Sequence, residues 1–483
     1  MLSVKSIQNK KHLLFLAFGV FLTMCANAQE NSPFSRYGIG DIFPNQSVQY
    51  KALGGMTAAQ GNPMIIGQPN LGTAALNPDN PASYGFMKTR IGGLGGAVNY
   101  DLGVIADLRT LQRATPSASY NSANFMPSYF TVGFPVHKSG VGMAFGIKPV
   151  TRISYNTTAR SGFSVNPLTN KLDSAISNNT GEGGLNQVFL GIGKSFKNFR
   201  VGINAGYNFG SNNYKTLTSV LNDTFAYETS LKNNFTRYRG FTWDAGLQQT
   251  IKLRETNDPV SKIRSTYNLD LGVSGAMSQK LKATQEQGYY TVTYDDYDVD
   301  RIDPKPRDTI SYVAGQKSTI TLPMQLKGGF MFNKYLNYVS KYGLGAEYNM
   351  ANWADFRGVN DRPDTALSNS WMIRAGGYFV PDPLRGTNIF ATARYSIGGY
   401  YGKDYINVGN TGGEGHNVMA ITFGVGLLLR NQAYGYQMPS SIINTSFEIG
   451  KRGNSSNNIS ENFYKISVGF SLRDIWLVKR RYD

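Results

Sequence analysis

Nine ionisable residues share one phase of the alternating segments of this sequence: Arg200, Lys327, Arg374, Arg394 and Lys465, with Asp244, Asp270, Glu347 and Glu448. A guanidinium is a planar fork that grips a carboxylate through two parallel hydrogen bonds, which makes Arg200, Arg374 and Arg394 candidates for holding an acidic ligand. The plainer reading is a mutually neutralising network that fixes one part of the chain against another. Covalent chemistry has little to work with. Past residue 28 the histidines are His137 and His416, and neither stands in a nucleophile or HExxH motif. Gly191-Ile192-Gly193 and similar pairs lie inside alternating segments and form no phosphate loop. Cys25 is the one cysteine, so the chain beyond it has no disulfide, redox pair or cysteine-ligated metal. The expectation is no enzyme, no cofactor and no metal.

What must position these charges is a period of two, which in a strand sends alternate side chains to opposite faces. From Phe199 to Phe209 the odd positions are Phe, Val, Ile, Ala, Tyr and Phe, and the even ones are Arg, Gly and Asn. The same rule holds over 267–274, 419–429 and 464–472. A polar face of Gly, Ser, Asn and Thr opposite a bulky apolar face suits a membrane barrel, polar within and lipid-compatible without. Segments of this kind span 89–99, 126–137, 141–157, 185–196, 199–214, 234–253, 265–284, 319–333, 341–354, 368–381, 388–402, 416–431, 440–451 and 459–472. The fold expected is all-β, a transmembrane antiparallel barrel of about fourteen strands. Short connections (137–140, 197–198) interleave with long ones (101–125, 158–184, 285–318), which puts every long loop at one end. Trp243, Trp371, Tyr342 and Tyr348 are read as lipid-facing or interfacial aromatics.

Composition agrees, since 54 Gly, 30 Tyr and 27 Phe accompany only 16% charged residues. The net charge of +17 falls to +14 without Lys5, Lys10 and Lys11, and the basic residues are scattered, with no run or motif that binds nucleic acid. Those three lysines precede an apolar run from Leu13 to Cys25 and an Ala26-Asn27-Ala28 site, an export signal cleaved between Ala28 and Gln29. The expected organisation is a signal peptide over 1–28, an irregular leader over 29–88 with a short helix near Gly54 to Gln60, and a barrel with a short basic tail over 89–483. The location that follows is the outer membrane of a Gram-negative bacterium, with outer-membrane lipid and the barrel-assembly machinery as partners.

The strand number, the leader and Asn80-Pro81-Ala82-Ser83 together resemble the FadL-type outer-membrane transporters of hydrophobic molecules. Asn31-Ser32-Pro33-Phe34-Ser35-Arg36-Tyr37-Gly38-Ile39-Gly40-Asp41, Gly54-Gly55-Met56, Gly183-Gly184-Leu185-Asn186-Gln187-Val188 and the stretch from Arg473 to Asp483 look like a divergent branch of these barrels, more distantly similar to the barrels of type IX protein secretion. The resemblance implies that residues 29–88 form a hatch or plug and that the barrel carries hydrophobic or amphipathic small molecules, similar to long-chain fatty acids. It marks Asn80, Pro81 and Ala82 as gate candidates. It also makes Pro149 the kink that opens the wall for lateral release, where the alternative is an ordinary bulge. The ligand-contacting residues of the fatty-acid transporters match no motif here. The other function class is a non-transporting barrel that binds clients or secretion-system proteins during protein secretion or surface display.

Overall fold

The computed structural model describes residues 32–61, 76–87, 97–115, 117–137, 140–165, 172–221, 227–293, 305–337, 339–383, 388–408, 415–429, 441–453 and 459–475. The expected signal segment, with Ala28 and Gln29, and the chain past Ile475 lie outside the described residues. The leader contains a 3-10 turn at Pro33–Arg36, strand β1 (Asp41–Ile42), a one-turn helix at Val48–Lys51 and a 3-10 helix at Pro81–Phe86. That first helix lies earlier than the expected span from Gly54 to Gln60. Gly54 and Gly55 adopt φ of +71° and +77°, a left-handed conformation that ends a helix where the glycines stand.

After the leader come β2 (Ala97–Arg113), β3 (Ala118–His137), β4 (Val141–Val165), β5 (Leu172–Phe196), β6 (Phe199–Leu221), β7 (Thr229–Asn257), β8 (Arg264–Ala276), β9 (Gln279–Thr293), β10 (Lys305–Leu322), β11 (Gln325–Leu336), β12 (Val339–Ala351), β13 (Ser370–Phe379), β14 (Arg394–Lys403), β15 (Asn417–Leu429), β16 (Ser441–Arg452) and β17 (Ile459–Ile475). β8 and β9 are two halves of one stave, because β7 pairs with β8 along its second half and with β9 along its first. β10 and β11 likewise continue one another, pairing with β9 and β8. The second break falls at Pro323, which has no N–H for the ladder. At the first, the Gln279 side chain replaces the missing backbone partner, accepting from Trp243 N (2.7 Å) and donating to Trp243 O (2.6 Å). The wall is thus a closed antiparallel barrel of fourteen staves, sealed by β17 on β2 from Ile459↔Arg113 to Ile475↔Ala97.

Burial alternates as the sequence does, but inside out relative to a soluble protein. In β6, Phe199, Ile203, Tyr207 and Phe209 are exposed while Arg200, Asn204 and Asn208 are buried. Ile147, Leu190, Leu271, Leu344, Ile373 and Phe447 extend the same apolar outer surface around the barrel. Lipid solvates such a surface and water does not. An arginine or lysine at the midplane of this face costs about 2–4 kcal/mol, which is why the charges of these strands lie on the inner phase.

Two expectations need correction. β2 runs on to Arg113, so 101–125 is strand with a tight connection and not a loop; residues 89–96 of the first expected segment lie outside the described residues. Similarly, 158–184 and 285–318 are mostly the ends of β4, β5, β9 and β10. Strand pairing continues here through sequence rich in polar residues, where polar and apolar positions no longer alternate strictly. One end of the barrel therefore carries projecting strands and the opposite end turns such as 197–198.

Candidate functional site: the leader inside the wall

Of the described residues proposed from sequence, Asn80, Pro81, Ala82, Arg200 and Arg374 lie where leader and wall meet, but the residues do not converge on one pocket. Asn80 caps the Pro81–Phe86 helix by accepting from Ala82 N (3.1 Å), and its amide donates to Ala58 O (2.6 Å). Pro81 fits the first helical position because its missing N–H is not needed there, and Ala82 is fully buried. The wall has glycine at several points where the backbone of this segment packs against it. A Cβ on Gly202 would sit 2.3 Å from Pro81 C, and one on Gly246 would sit 2.0 Å from Asn80 Oδ1. Tyr84 donates to Asn204 Oδ1 at 3.1 Å.

The three arginines use their forks within the molecule. Arg374 Nη1 donates to Gly54 O at 2.6 Å, with its guanidinium 5.1 Å from the Tyr400 ring. Arg200 donates to Thr250 Oγ1 at 2.7 Å, lies 4.0 Å from Asp270 and covers the Phe86 ring at 3.7 Å. Arg394 stacks on Tyr378 at 3.7 Å. Among them only Arg374 borders the central cavity of about 450 Å³, which is also lined by Lys51, Asp79, Lys327, Glu448 and Lys465. The remaining inner charges act as the plainer reading has it. Lys465 pairs with Glu448 at 2.9 Å and Lys327 with Asp79 at 3.5 Å. Asn204 donates to Asp244 at 2.8 Å, and Glu347 Oε2 accepts from Thr57 N and Ala58 N, each at 2.6 Å.

The sequence reading missed the strongest anchors. Asp41 accepts from Arg109 (2.9 Å) and from Arg452 (2.8 Å); these arginines also bond Asp107 and Glu461, and Asp404, respectively. Arg452 additionally lies 4.5 Å from the Phe34 ring, which meets His416 edge-on at 5.1 Å. A signal was present: Glu448, Gly450 and Arg452 continue the inner phase one residue past the expected strand end. Lys51, buried against Ser128 Oγ at 2.8 Å, was missed as well. Burial pushes its ammonium down to about 7, with Lys465 adding to the fall and Glu448 and Asp107 opposing it. Burial alone would raise Asp79, but Lys327 and Lys148 outweigh it and hold the carboxyl at about 2.

Pro149 marks a discontinuity. β3 pairs with β4 only from Phe130↔Ile147 to His137↔Val141, although β3 pairs with β2 back to Ala118 and β4 with β5 on to Val165. Pro149 and Pro127 stand at the two lips of this seam and neither offers an N–H. Register also slips between Pro149 and Thr151. A cavity of about 520 Å³ opens at the seam, lined by Met126, Phe130, Ile147, Gly184, Phe209 and the leader's Phe43 among others.

A family model described as BamG matches residues 9–483. No curated protein matches the chain. Among solved structures it is similar to the toluene transporter TbuX of Ralstonia pickettii, with 12% identity, 90% of this chain and 99% of that one covered, and a TM-score of 0.49. A FadL homologue of Pseudomonas aeruginosa gives 13%, 87%, 98% and 0.48, and the toluene transporter TodX of Pseudomonas putida 11%, 89%, 99% and 0.46. The architecture given above rests on this chain's own strand pairing.

Proposed function

The chain belongs to the BamG family, and from that premise we propose that it is a plugged outer-membrane barrel acting as a structural partner in outer-membrane protein assembly, in keeping with the family's name. One observation carries the reading: the polar inner wall is used to hold the leader. Glu347, Arg374 and Thr422 grip Thr57–Ala58 and Gly54, Lys148 and Lys327 neutralise Asp79, and wall glycines admit the 76–87 segment. A barrel that keeps those groups occupied offers other molecules its wall and its projecting strands. In this reading the segment from residue 29 to 88 is a plug, with Asn80, Pro81, Ala82, Arg200, Arg374 and Arg394 as its anchors. The partners are membrane lipid and assembly proteins, and no covalent step is involved.

The test is gentle purification from outer membranes, with protein and lipid partners identified by mass spectrometry and conductance measured in planar bilayers. A reproducible assembly protein and a closed barrel are expected. A barrel that isolates alone with a stoichiometric hydrophobe defeats the proposal.

The second reading, carriage of hydrophobic small molecules with lateral release, is favoured by the apolar cavity at the Pro149 seam. Uptake of hydrophobic compounds that is unchanged by Pro149→Ala removes it.

A further inference from the structure

β7, β9 and β10 run on together at the end of the barrel that carries the projecting strands. The inner phase of this sheet begins in the hydrophobic core with Tyr238, Leu281 and Ile320 and turns polar further out. There Asn234 stands opposite Gln287, and Gln285 stands opposite Thr236 on one side and Gln316 on the other. Lys232 lies one row beyond, its ammonium 5.4 Å from the centre of the Tyr289 ring. A bulge in β10 sets these rows. Pairing moves from Val313↔Gln287 to Gln316↔Gln285, three residues along one strand against two along the other, with Gly315 at φ +68°. The extra residue reverses the phase of the strand and turns Gln316 to the inner face. The connection between β12 and β13 forms the second wall: Asn360 N donates to Ser318 Oγ (2.7 Å), and Asn360 and Asp361 hold φ of +62° and +57°, uncommon for residues with a Cβ. Between sheet and connection lies a cavity of about 450 Å³, lined by Lys232, Asn234, Gln285, Gln287, Gln316 and Arg362 together with Val359 and Asn360.

The chemistry of this lining is distinct from that of the central cavity. Lys465 and Lys327 are matched there by Glu448 and Asp79, whereas this lining holds two cations, five carboxamides and, among the described residues, no carboxylate. A carboxamide presents a donor beside an acceptor, which suits a sugar hydroxyl that both gives and takes a hydrogen bond. Gln285, 7% exposed, donates to Asn234 Oδ1 at 2.8 Å, so two of these groups are already oriented. Two cations without a carboxylate favour an acidic sugar over a neutral one. An extended peptide needs pockets for alternate side chains, and Val359 is the one apolar side chain of the lining. The volume lies within the range of ligand clefts, about 300–1,000 Å³. We propose that this groove binds an acidic saccharide, with Asn234, Gln285, Gln287 and Gln316 on its hydroxyls and Lys232 and Arg362 on its carboxylate. No leader residue lines the groove, and the proposal goes beyond the assembly reading and does not depend on it.

The test presents the whole barrel, purified in a sugar-free detergent, to an array of oligosaccharides: acidic ones bearing uronic, sialic or ketodeoxyoctonic acid, and neutral ones of similar length. Binding to acidic members that weakens as salt is added is expected. Gln316→Ala, Lys232→Met and Arg362→Met should each weaken it about tenfold. Lys317→Met removes the same charge from the opposite face of β10 and should leave binding unchanged. All four variants should keep the heat-modifiable gel shift of a folded barrel. The proposal is overturned if no saccharide binds, if neutral and acidic sugars bind alike, or if polyglutamate binds as well as the acidic sugars. Affinity indifferent to both Gln316→Ala and Arg362→Met overturns it too. Binding of lipopolysaccharide without binding of its lipid-free core oligosaccharide assigns recognition to the lipid, with the same consequence. None of these results bears on which proteins co-purify.

Discussion

Replacing Glu347 by glutamine keeps the shape of the side chain and removes its charge from two hydrogen bonds. Oε2 alone receives Thr57 N and Ala58 N at 2.6 Å each, in a site where Glu347 is 4% exposed. A hydrogen bond to a charged group contributes about 1.5–3 kcal/mol, and a neutral one roughly half as much. Two bonds that each lose half of their strength weaken the leader by about 1.5–3 kcal/mol. At about 1.4 kcal/mol per factor of ten, local opening becomes about 10- to 100-fold more frequent. Hydrogen exchange reads this directly: the amides of Thr57 and Ala58 in bilayer-embedded protein should exchange faster by that factor, with β12 itself unchanged. Glu347→Ala leaves two buried donors without an acceptor and should exceed Glu347→Gln. Equal exchange in the parent and in both variants would refute the view that the inner wall holds the leader by charge-assisted bonds.

Lys51 provides a pH test. Burial lowers it from 10.5 to about 7, so between those values the undocked leader retains a proton that the docked leader sheds. Docking should therefore be strongest at the alkaline end, weaken as pH falls toward about 7 and then level off; protease protection of the leader measures it, and Lys51→Met should flatten the slope. Gly272→Ala places a Cβ 1.9 Å from Ala58 O and should cost about 1–3 kcal/mol of leader docking in a folded barrel, whereas Gly328→Ala, whose nearest contact is 4.0 Å away, should be silent. Arg200→Lys keeps the charge but loses the stacked fork over Phe86 and the bond to Thr250, so exchange in Pro81–Phe86 should rise nearly as much as with Arg200→Ala.

The staves were legible because lipid on one side and a polar interior on the other impose a strict period of two, as from Phe199 to Phe209. Legibility failed where that constraint lapses. β2 carries Asp101, Asp107 and Arg109 on its inner phase, and those charges made its alternation read as a loop. The outer reaches of β4, β5, β9 and β10 carry polar residues on both phases, so no strict alternation announces them. At the site, the inner charges were named correctly but not their partners. The leader meets the wall across large separations in sequence: Asp41 finds Arg109 68 positions on and Arg452 411 positions on. Periodicity reports which face a residue occupies, and it is silent on what stands opposite across a lumen.

The closing seam between β17 and β2 sets an order of events for making this molecule. Leader residues are the first of the described chain to be synthesised, and their partners Arg452 and Thr422 lie on β16 and β15, among the last. Once β17 has zipped onto β2, a segment of this length tied on all sides has no easy way in. The leader must already be between the strands when the first and last of them join. Barrel closure is therefore also an encapsulation step, and a leader damaged or delayed during export would give a cylinder of normal pairing with an empty middle.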